Sequence, residues 1–551
     1  MDLPEAPRTD ESNRSAGEQR ALAEVTPPRT LPRAGGLFED VAGLALALAL
    51  GATSLPLPFG RDQGLYYYVG REWVLRGAVP YRDVFDHKTP GIYVLHALAV
   101  ALFGEKQWGI RVVDLVAVLL LGLVVAWLSA PRGEPVARGV RGRSLALVSV
   151  LFYGVLNFWD SSQSEIHYAL LGCASLACAM KIRRAWLAAA LSGALAASAL
   201  LMKPPVFWFV LAAIIALLVR AREEKAGPSG YVKTLALFGA GALPPLALTF
   251  GYFGYKGALP AMRDIVVGAN GYYVSHERSQ DPLSDVIDSS QGYVAHHAPM
   301  STLLFGAGLA ALLLARREGD RASVRRYGYA FALVLCAYAS AAMQMKFYLL
   351  HWSAMVAPLA LLGVHLADTL SRSLRSRRFS ARASALAPWL VFLGTYLLSS
   401  HARKFVEQQM KTVRYLSGED SREIYAERFA FPEVHFSYAE SEWVGKWLKE
   451  HTGPDDTITV RGFQPEVYAV AGRRHSGRFF WTTFLTSPAR AYRRADYLAE
   501  DLEALRKNPP RYVVARNDPS TGDGPDSVAY IGPLGYEVEL THGRFIIMRR
   551  R

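Results

Sequence analysis

The chain is long, apolar and basic, and this combination excludes an ordinary soluble domain. It has 551 residues, of which 51% are hydrophobic and 20% are charged, and its formal net charge is +13. Soluble domains are less apolar and more highly charged. A charge of this size is also found in nucleic-acid-binding proteins, but the positions of the basic residues favour a membrane protein instead.

Eleven apolar stretches have about the length of a membrane-spanning helix. The hydrocarbon core of a bilayer is ~30 Å thick and requires roughly 17–25 apolar residues per helix. The stretches are residues 41–59, 112–130, 144–159, 166–180, 185–202, 204–219, 234–255, 298–315, 327–345, 347–366 and 383–400. The sequence therefore predicts a mainly α-helical, polytopic membrane protein with about eleven transmembrane helices.

Basic residues cluster on every second junction between these stretches. Six segments hold 25 of the 61 Lys and Arg residues: 1–35, 131–143, 181–184, 220–225, 316–326 and 371–382. Short loops that are rich in Lys and Arg stay on the cytoplasmic side of a membrane. The pattern predicts a cytoplasmic N-terminus and, after eleven spans, a periplasmic C-terminal part of a protein in the cell inner membrane.

A twelfth apolar run, residues 91–103, is too short to be counted as a span. If these 13 residues crossed the membrane, the N-terminal tail and the later basic segments would lie on opposite sides. A run of this length is typical of an interfacial or re-entrant helix. We therefore expect an interfacial helix inside a long outer loop, residues 60–110.

Three regions follow from this organisation. Residues 1–35 are rich in Pro, Glu and Arg without periodicity, which predicts a disordered cytoplasmic tail. Residues 36–400 form the membrane domain. In residues 401–551, helix-like and strand-like patterns alternate, which predicts a small external α/β domain. This part contains no glycine-rich phosphate-binding motif.

Ionisable residues collect where the outer ends of the spans are predicted. Such residues are costly near a bilayer and are functional candidates by default. Taken singly, each also has an ordinary structural explanation: a helix cap, an interfacial anchor, a loop residue or a local ion pair. The set comprises Asp62, Asp86, His87, Lys88, Glu165, Lys203, Lys346 and His351, with Arg111 and Asp114 as a further i, i+3 pair.

Taken in order, these segments resemble the GT-C membrane glycosyltransferases. The matching features are Asp62 after the first span, the stretch FDHKTPGIYVLHALAVALFG leading to Arg111, the acid Glu165, Met202-Lys203, and QMKFYLLHW at 344–352. The resemblance extends over roughly residues 40–480, and the tail stretch GFQPEVYAVAGRR continues it. The branch it points to contains the protein O-mannosyltransferases and the bacterial lipid A aminoarabinose transferases.

The resemblance implies a hexosyl- or pentosyltransferase that uses a polyprenyl-phosphate-linked sugar. Asp62 would be the general base, and Lys88 and Lys203 would bind the donor phosphate. Glu165, Asp86, His87, Tyr66, Lys346 and His351 would contact the sugar or the acceptor, and Tyr67 and Tyr68 would offer further aromatic faces. One base and direct displacement imply inversion at the anomeric carbon.

The chain departs from the family pattern in the first loop. Gln63 stands where the family often has Glu, His87 precedes the loop lysine where Glu is common, and Thr89 separates Lys88 from Pro90. These departures remove the support for a metal site, so no cofactor is expected.

The expected partners are the lipid-linked donor, a lipid, glycan or protein acceptor, and the bilayer. A polysaccharide polymerase or ligase and a lipid-linked sugar transporter or flippase are the alternatives.

Overall fold

The computed structural model describes residues 36–155, 157–276, 281–297, 300–487, 490–516 and 531–551. The predicted disordered tail, residues 1–35, lies outside the described residues. The described chain is mainly helical, as predicted, with a small sheet near the C-terminus.

Each of the eleven apolar stretches overlaps one helix of 14 to 28 residues, and the other helices lie in the connecting segments and the tail. The helices are α1 Gly36–Ala52, α2 Arg61–Arg76, α3 Pro90–Phe103, α4 Trp108–Ser129, α5 Val140–Tyr153, α6 Ser164–Lys181, α7 Ala185–Met202, α8 Phe207–Glu223, α9 Pro228–Tyr255, α10 Leu259–Arg263, α11 Asn270–His276, α12 Pro282–His297, α13 Met300–Arg317, α14 Arg321–Ala342, α15 Val356–Ser376, α16 Ala381–Leu397, α17 Ser400–Leu416, α18 Arg422–Glu427, α19 Tyr438–His451, α20 Glu466–Ala471, α21 Thr483–Thr486 and α22 Arg494–Lys507. Short 3₁₀ helices at Pro204–Val206 and Leu349–Met355 lead into α8 and α15.

Six of the described helical segments are long and apolar enough to cross a membrane. They are Trp108–Ser129, Ala185–Met202, Pro204–Glu223, Pro228–Tyr255, Met300–Arg317 and Leu349–Ser376, and a bent pair formed by α16 and α17 would make a seventh. Helices α1 and α5 contain 17 and 14 residues, so they are shorter than a typical span. The total of eleven spans therefore stays a prediction. The short apolar run at 91–103 forms α3, a helix of 14 residues.

Several of the predicted cytoplasmic segments that the structure describes meet at one end of the helical bundle, which we call the basic end. Arg143 at the start of α5 forms ion pairs of 2.6 Å with Glu39 of α1 and with Asp368 of α15. Arg220 in the last turn of α8 donates hydrogen bonds of 2.6 Å to the carbonyl oxygens of Ile182 and Arg183. This grouping is the arrangement that the alternation of basic loops predicts.

The tail combines helices with a mixed five-stranded sheet. Its strands are β3 Thr457–Val460, β4 Arg474–His475, β5 Tyr512–Arg516, β6 Tyr536–His542 and β7 Phe545–Arg550, and a separate pair is formed by β1 Ala430–Phe431 and β2 Phe436–Ser437. The strand order is β4-β3-β5-β7-β6, with β3 parallel to both β4 and β5. Strands β6 and β7 form an antiparallel hairpin at one edge of this sheet.

The tail and the outer loop share one hydrophobic core. Tyr68 of α2 stacks on Phe480 of the tail with ring centroids 4.2 Å apart. The backbone N–H of Phe85 donates to the carbonyl oxygen of Arg478 at 2.9 Å, and the Trp481 indole donates to the carbonyl oxygen of Phe85 at 3.1 Å. The tail therefore fixes the conformation of the outer loop, from which several candidate site residues come.

Candidate functional site

The candidate residues converge at the end of the bundle opposite the basic end, which we call the site end. They come from α2, from the segment before α3, from the starts of α6 and of the 3₁₀ helix Leu349–Met355, and from the end of α7. Segments far apart in sequence thus contribute to one cluster, as the resemblance implies.

A buried ion pair forms the centre of this cluster. Lys203, the residue that follows α7, donates a hydrogen bond from its Nζ to the Oε1 of Glu165, whose side chain is only 1% exposed. The His351 Nε2 lies 4.0 Å from the same oxygen. A buried carboxylate needs such partners because isolated burial of a charge is strongly unfavourable.

The Asp86-His87-Lys88 segment is held rigidly beside this pair. Asp86 is buried; its Oδ2 accepts a hydrogen bond from the Tyr93 hydroxyl, and its Oδ1 lies 3.1 Å from the His87 Nδ1. The Tyr93 oxygen also accepts the backbone N–H of Lys88 at 3.1 Å. Burial and the nearby Lys88 lower the pKa of His87, so this imidazole is neutral at pH 7.

A single hydrogen bond brings the two predicted phosphate-binding lysines together. The Thr89 hydroxyl donates to the carbonyl oxygen of Met202 at 2.7 Å. Thr89 follows Lys88 in the chain, and Met202 precedes Lys203. Close packing supports this contact, since a Cβ added at Gly91 would lie 2.8 Å from the carbonyl oxygen of Leu201. Lys88 itself is half-buried, and its side chain stands beside the Lys203–Glu165 pair.

Asp62 lies in the first turn of α2 and does not cap that helix. The backbone N–H of Gly60 is bound instead by the Gln63 Oε1 at 3.0 Å. The Gln63 Nε2 also donates to the carbonyl oxygen of Ser161 at 2.7 Å, which joins the outer loop to the segment before α6. Asp62 is half-buried, and its Oδ2 lies 3.5 Å from the Gln163 Nε2. The capping explanation for Asp62 is therefore wrong, and its carboxylate is available for another role.

Arg111 and Asp114 meet on the hydroxyl of Ser162. The Arg111 Nη1 donates to the Ser162 Oγ at 3.0 Å, and this hydroxyl donates to the Asp114 Oδ2 at 2.6 Å. Arg111 is fully buried and also donates to the carbonyl oxygen of Pro58 at 2.9 Å. Ser162 has a φ of 56°, a conformation that costs energy for a non-glycine residue. Arg111 thus positions the chain that leads into α2 and Asp62.

Asp160 is a further carboxylate at the site end, and sequence reasoning missed it. Its side chain is 6% exposed, and its Oδ2 has no hydrogen-bond partner among the described residues. Burial raises the pKa of Asp160 to about 7, and the neighbouring charges of Asp62 and Glu165 act in the same direction. The sequence signal was its place in the polar run DSSQSEI, which resembles an ordinary loop.

Tyr273 of α11 and Arg490 of the tail lie near the predicted site residue Lys346, and sequence reasoning missed both of them. The Lys346 Nζ lies 4.7 Å from the ring centroid of Tyr273, and the Arg490 Cζ lies 4.5 Å from the same centroid. Such contacts attract a cation to an aromatic face. Met345 and Phe347 have φ values of 50° and 48°, so the backbone on both sides of Lys346 is strained.

The three consecutive tyrosines have different surroundings. Tyr66 is 2% exposed and lies near the carboxylates of Asp62, Asp86 and Glu165. Tyr67 packs on Phe59 with centroids 5.2 Å apart, and Tyr68 belongs to the core shared with the tail. Of the three, Tyr66 is therefore the one placed among the site carboxylates.

The described residues contain no group of three or more His, Cys, Asp or Glu side chains arranged to hold a metal ion. Metal independence stays a prediction from the sequence.

Comparisons with known proteins agree with the resemblance. Residues 87–247 match the sequence model of a family described as dolichyl-phosphate-mannose-protein mannosyltransferase. The crystal structure of ArnT from Cupriavidus metallidurans bound to undecaprenyl phosphate has 15% identity and a TM-score of 0.60, and covers 94% of this chain and 98% of that chain. The apo structure of the same protein has 15% identity and a TM-score of 0.52, with 92% and 97% covered.

A comparison with curated protein sequences found no match. The matched region, residues 87–247, contains Lys88, Glu165 and Lys203, whereas Asp62 precedes it. The resemblance predicted from the sequence is confirmed: the chain has an ArnT-like fold, and its residues 87–247 match the model of the dolichyl-phosphate-mannose-protein mannosyltransferase family.

Proposed function

We propose that this protein is a membrane glycosyltransferase that moves a sugar from a polyprenyl-phosphate donor to a hydroxyl group of an envelope acceptor. The observation that carries the proposal is the convergence of Asp62, Lys88, Lys203 and Glu165 at one end of an ArnT-like fold. ArnT itself has been crystallised with undecaprenyl phosphate. A lipid-linked donor is therefore the ligand class that best fits this arrangement.

Lys88 and Lys203 are proposed to bind the donor phosphate. Lysine is a compact point charge that suits a phosphate group, and a fixed cation stabilises the charge that develops on a leaving phosphate. Lys203 is already paired with the buried Glu165, which keeps its ammonium group in place before the donor arrives. The bond from Thr89 to Met202 keeps Lys88 beside it. The site is thus preorganised for an anion.

Asp62 is proposed to be the general base. Its half-buried carboxylate accepts the proton of the acceptor hydroxyl while the oxygen attacks the anomeric carbon and the sugar–phosphate bond breaks. Attack opposite the leaving phosphate inverts the anomeric configuration. Arg111 and Gln63 hold this carboxylate in place through their bonds to neighbouring loops.

The remaining site residues are proposed to line the sugar and acceptor pocket. Glu165, Asp86, His87, Tyr66 and His351 are buried, and Lys346 and His351 reach the cluster from the segment before α15. Polar groups that are already fixed can recognise sugar hydroxyls at little entropic cost. The acceptor class stays open between lipid, glycan and protein hydroxyls.

The two alternatives fit the structure differently. A transporter binds its substrate near the middle of the membrane, whereas the charged residues here lie at one end of the bundle. A polysaccharide polymerase or ligase would use the same donor chemistry and differs only in its acceptor. We therefore place glycosyl transfer first and leave the acceptor to experiment.

The proposed setting is the cytoplasmic membrane, with the site end on the periplasmic side. The N-terminus would be cytoplasmic, residues 36–400 would form the membrane domain, and residues 401–551 would form the periplasmic domain. The grouping of Arg143, Arg220 and their partners at the basic end supports this orientation.

Single-cysteine labelling tests the topology, in a background in which Cys173, Cys178 and Cys336 are replaced by alanine. We expect an impermeant maleimide to label Glu450→Cys, an exposed tail position, in intact spheroplasts. Glu318→Cys in an exposed basic loop is the matched control and should react only after permeabilisation. The opposite pattern would reverse the orientation of the site.

Removing either lysine should weaken donor binding. Loss of a charge-assisted contact is worth ~1.5–3 kcal/mol, so Lys88→Ala and Lys203→Ala should lower affinity roughly 10- to 150-fold. Titration of the purified protein with a polyprenyl-phosphate sugar measures this, with thermal stability as the fold control, because Lys203→Ala leaves Glu165 unpaired. The exposed Lys256→Ala is the matched control. Unchanged affinity in both variants would show that these lysines are structural.

Asp62→Asn should abolish most turnover while donor binding and stability stay near normal. Loss of a general base typically lowers the rate ~10²–10⁴-fold. Asp83→Asn, in the same loop but paired with Arg82 at 2.8 Å, is the matched control and should remain active. If the Asp62→Asn protein turns over within a few-fold of the wild type, Asp62 is not the base.

Asp160 should make the stability of the protein depend on pH. The pKa of Asp160 is about 7 in the folded protein, compared with the ordinary aspartate value of 3.8 in the unfolded chain. Between these two pH values the folded protein keeps the proton and the unfolded chain loses it. The free energy of unfolding therefore falls as the pH rises from about 4 to about 7, by up to ~1.4 kcal/mol per pH unit. Asp160→Asn removes this contribution. The difference in thermal midpoint between variant and wild type should thus grow from pH 5 to pH 8, and a constant difference would contradict the assignment.

A further inference from the structure

Helix α17 leaves the last predicted span at nearly a right angle. The axes of Arg382–Leu397 and Ala402–Leu416 differ by 86°. A membrane-spanning helix runs on average about 20° from the bilayer normal. If α16 is such a span, a helix perpendicular to it runs along the membrane surface.

One face of α17 exposes a continuous apolar stripe. Val406, Met410, Val413 and Leu416 are 51%, 55%, 52% and 65% exposed. Their spacing of three and four residues places them on one side of the helix. Leu397 and Leu398 at the bend are also highly exposed, so the stripe continues from the surface of α16.

The rest of α17 packs against the protein through polar and aromatic side chains, since Tyr415 stacks on Tyr425 with ring centroids 4.3 Å apart. Gln408 and Gln409 line a small pocket together with Tyr153 of α5 and Ser161. Thr412 is 1% exposed, and its hydroxyl lies 3.4 Å from that of Tyr425. Single exposed apolar side chains are normal on a protein surface, but four of them along one side of a helix form a patch that is unfavourable in water. Its outward face therefore requires an apolar environment.

The charges on α17 identify what provides this environment. Arg403, Lys404, Lys411 and Arg414 outnumber the one acid, Glu407, and give the helix a net charge of +3. Basic residues that border an apolar stripe are the composition of helices that lie in the interface of anionic membranes. Their long side chains reach the headgroups while their stems cover apolar surface.

We propose that α17 lies in the outer interface of the membrane, with its apolar stripe at the acyl-chain boundary and its basic residues among anionic phospholipid headgroups. The helix then connects the last span to the tail and fixes the height of the tail above the bilayer. The membrane-associated part of the chain would extend to about residue 416 instead of ending near residue 400. The proposal depends on the orientation proposed above and not on the reaction.

Spin labels on the two faces of α17 test this placement. The full-length protein, with its native cysteines replaced by alanine, is labelled at Val413→Cys on the stripe or at Lys404→Cys on the exposed polar side. It is then reconstituted in vesicles of phosphatidylethanolamine and phosphatidylglycerol. Power saturation compares collisions with oxygen, which concentrates in lipid, and with a water-soluble nickel chelate.

We expect the ratio of oxygen to nickel collisions to be several-fold higher at residue 413 than at residue 404. Val406→Cys provides a second stripe position if the first variant does not fold. Equal access of the nickel chelate to both faces would overturn the proposal, because the stripe would then face water. Protection of residue 413 from both reagents would also overturn it, because a protein surface would then cover the stripe. Neither outcome bears on sugar transfer, which is measured separately.

Discussion

The ion pair between Lys203 and the buried carboxylate of Glu165 is the interaction on which the site depends. Glu165 is 1% exposed, so its charge is stable only while cationic and polar groups surround it. Lys203 satisfies one of its oxygens, and His351 approaches the same atom. The start of α6, the end of α7 and the 3₁₀ helix leading into α15 are thereby fixed relative to one another. In the proposed function, a donor phosphate entering this cluster would meet a lysine that is already held in position.

The outer loop also depends on other parts of the chain for its conformation, and the tail provides the contacts that hold it. Asp86 and its neighbours are held by a backbone hydrogen bond from the Phe85 N–H to the Arg478 carbonyl oxygen and by a bond from the Trp481 indole to the Phe85 carbonyl oxygen. Tyr68 is buried in the shared core, and Gly64 leaves room for the backbone of α20, because a Cβ there would lie 2.6 Å from the Glu466 nitrogen. The tail is thus part of the architecture of the site. A truncation after α16 would expose this core and disorder the segment that carries Lys88.

Much of the fold follows from local sequence properties, because hydrophobic length and basic loops depend on neighbouring residues. The helices in the apolar stretches, α3 and the tail strands were predictable for this reason. Asp62, Lys88, Glu165 and Lys203 could be named as candidates from the sequence because ionisable residues beside apolar runs are rare. Three features were not predictable from the sequence: the hydrogen bond of Gln63 at the start of α2, the burial of Asp160, and the contact between Arg490 and Tyr273. Each depends on contacts between segments that lie far apart in the chain, and a single sequence does not specify these.

The measurement that tests the central claim most directly is transfer by the purified protein in proteoliposomes. A polyprenyl-phosphate donor carrying a radiolabelled sugar is supplied with an envelope extract as the source of acceptor. Our account predicts that the label moves from the donor to an acceptor, that free polyprenyl phosphate accumulates, and that the new glycosidic bond has the inverted configuration. If the labelled donor instead crosses the bilayer with its sugar–phosphate bond intact and no acceptor becomes labelled, the protein is a lipid-linked sugar flippase and the glycosyltransferase account is wrong.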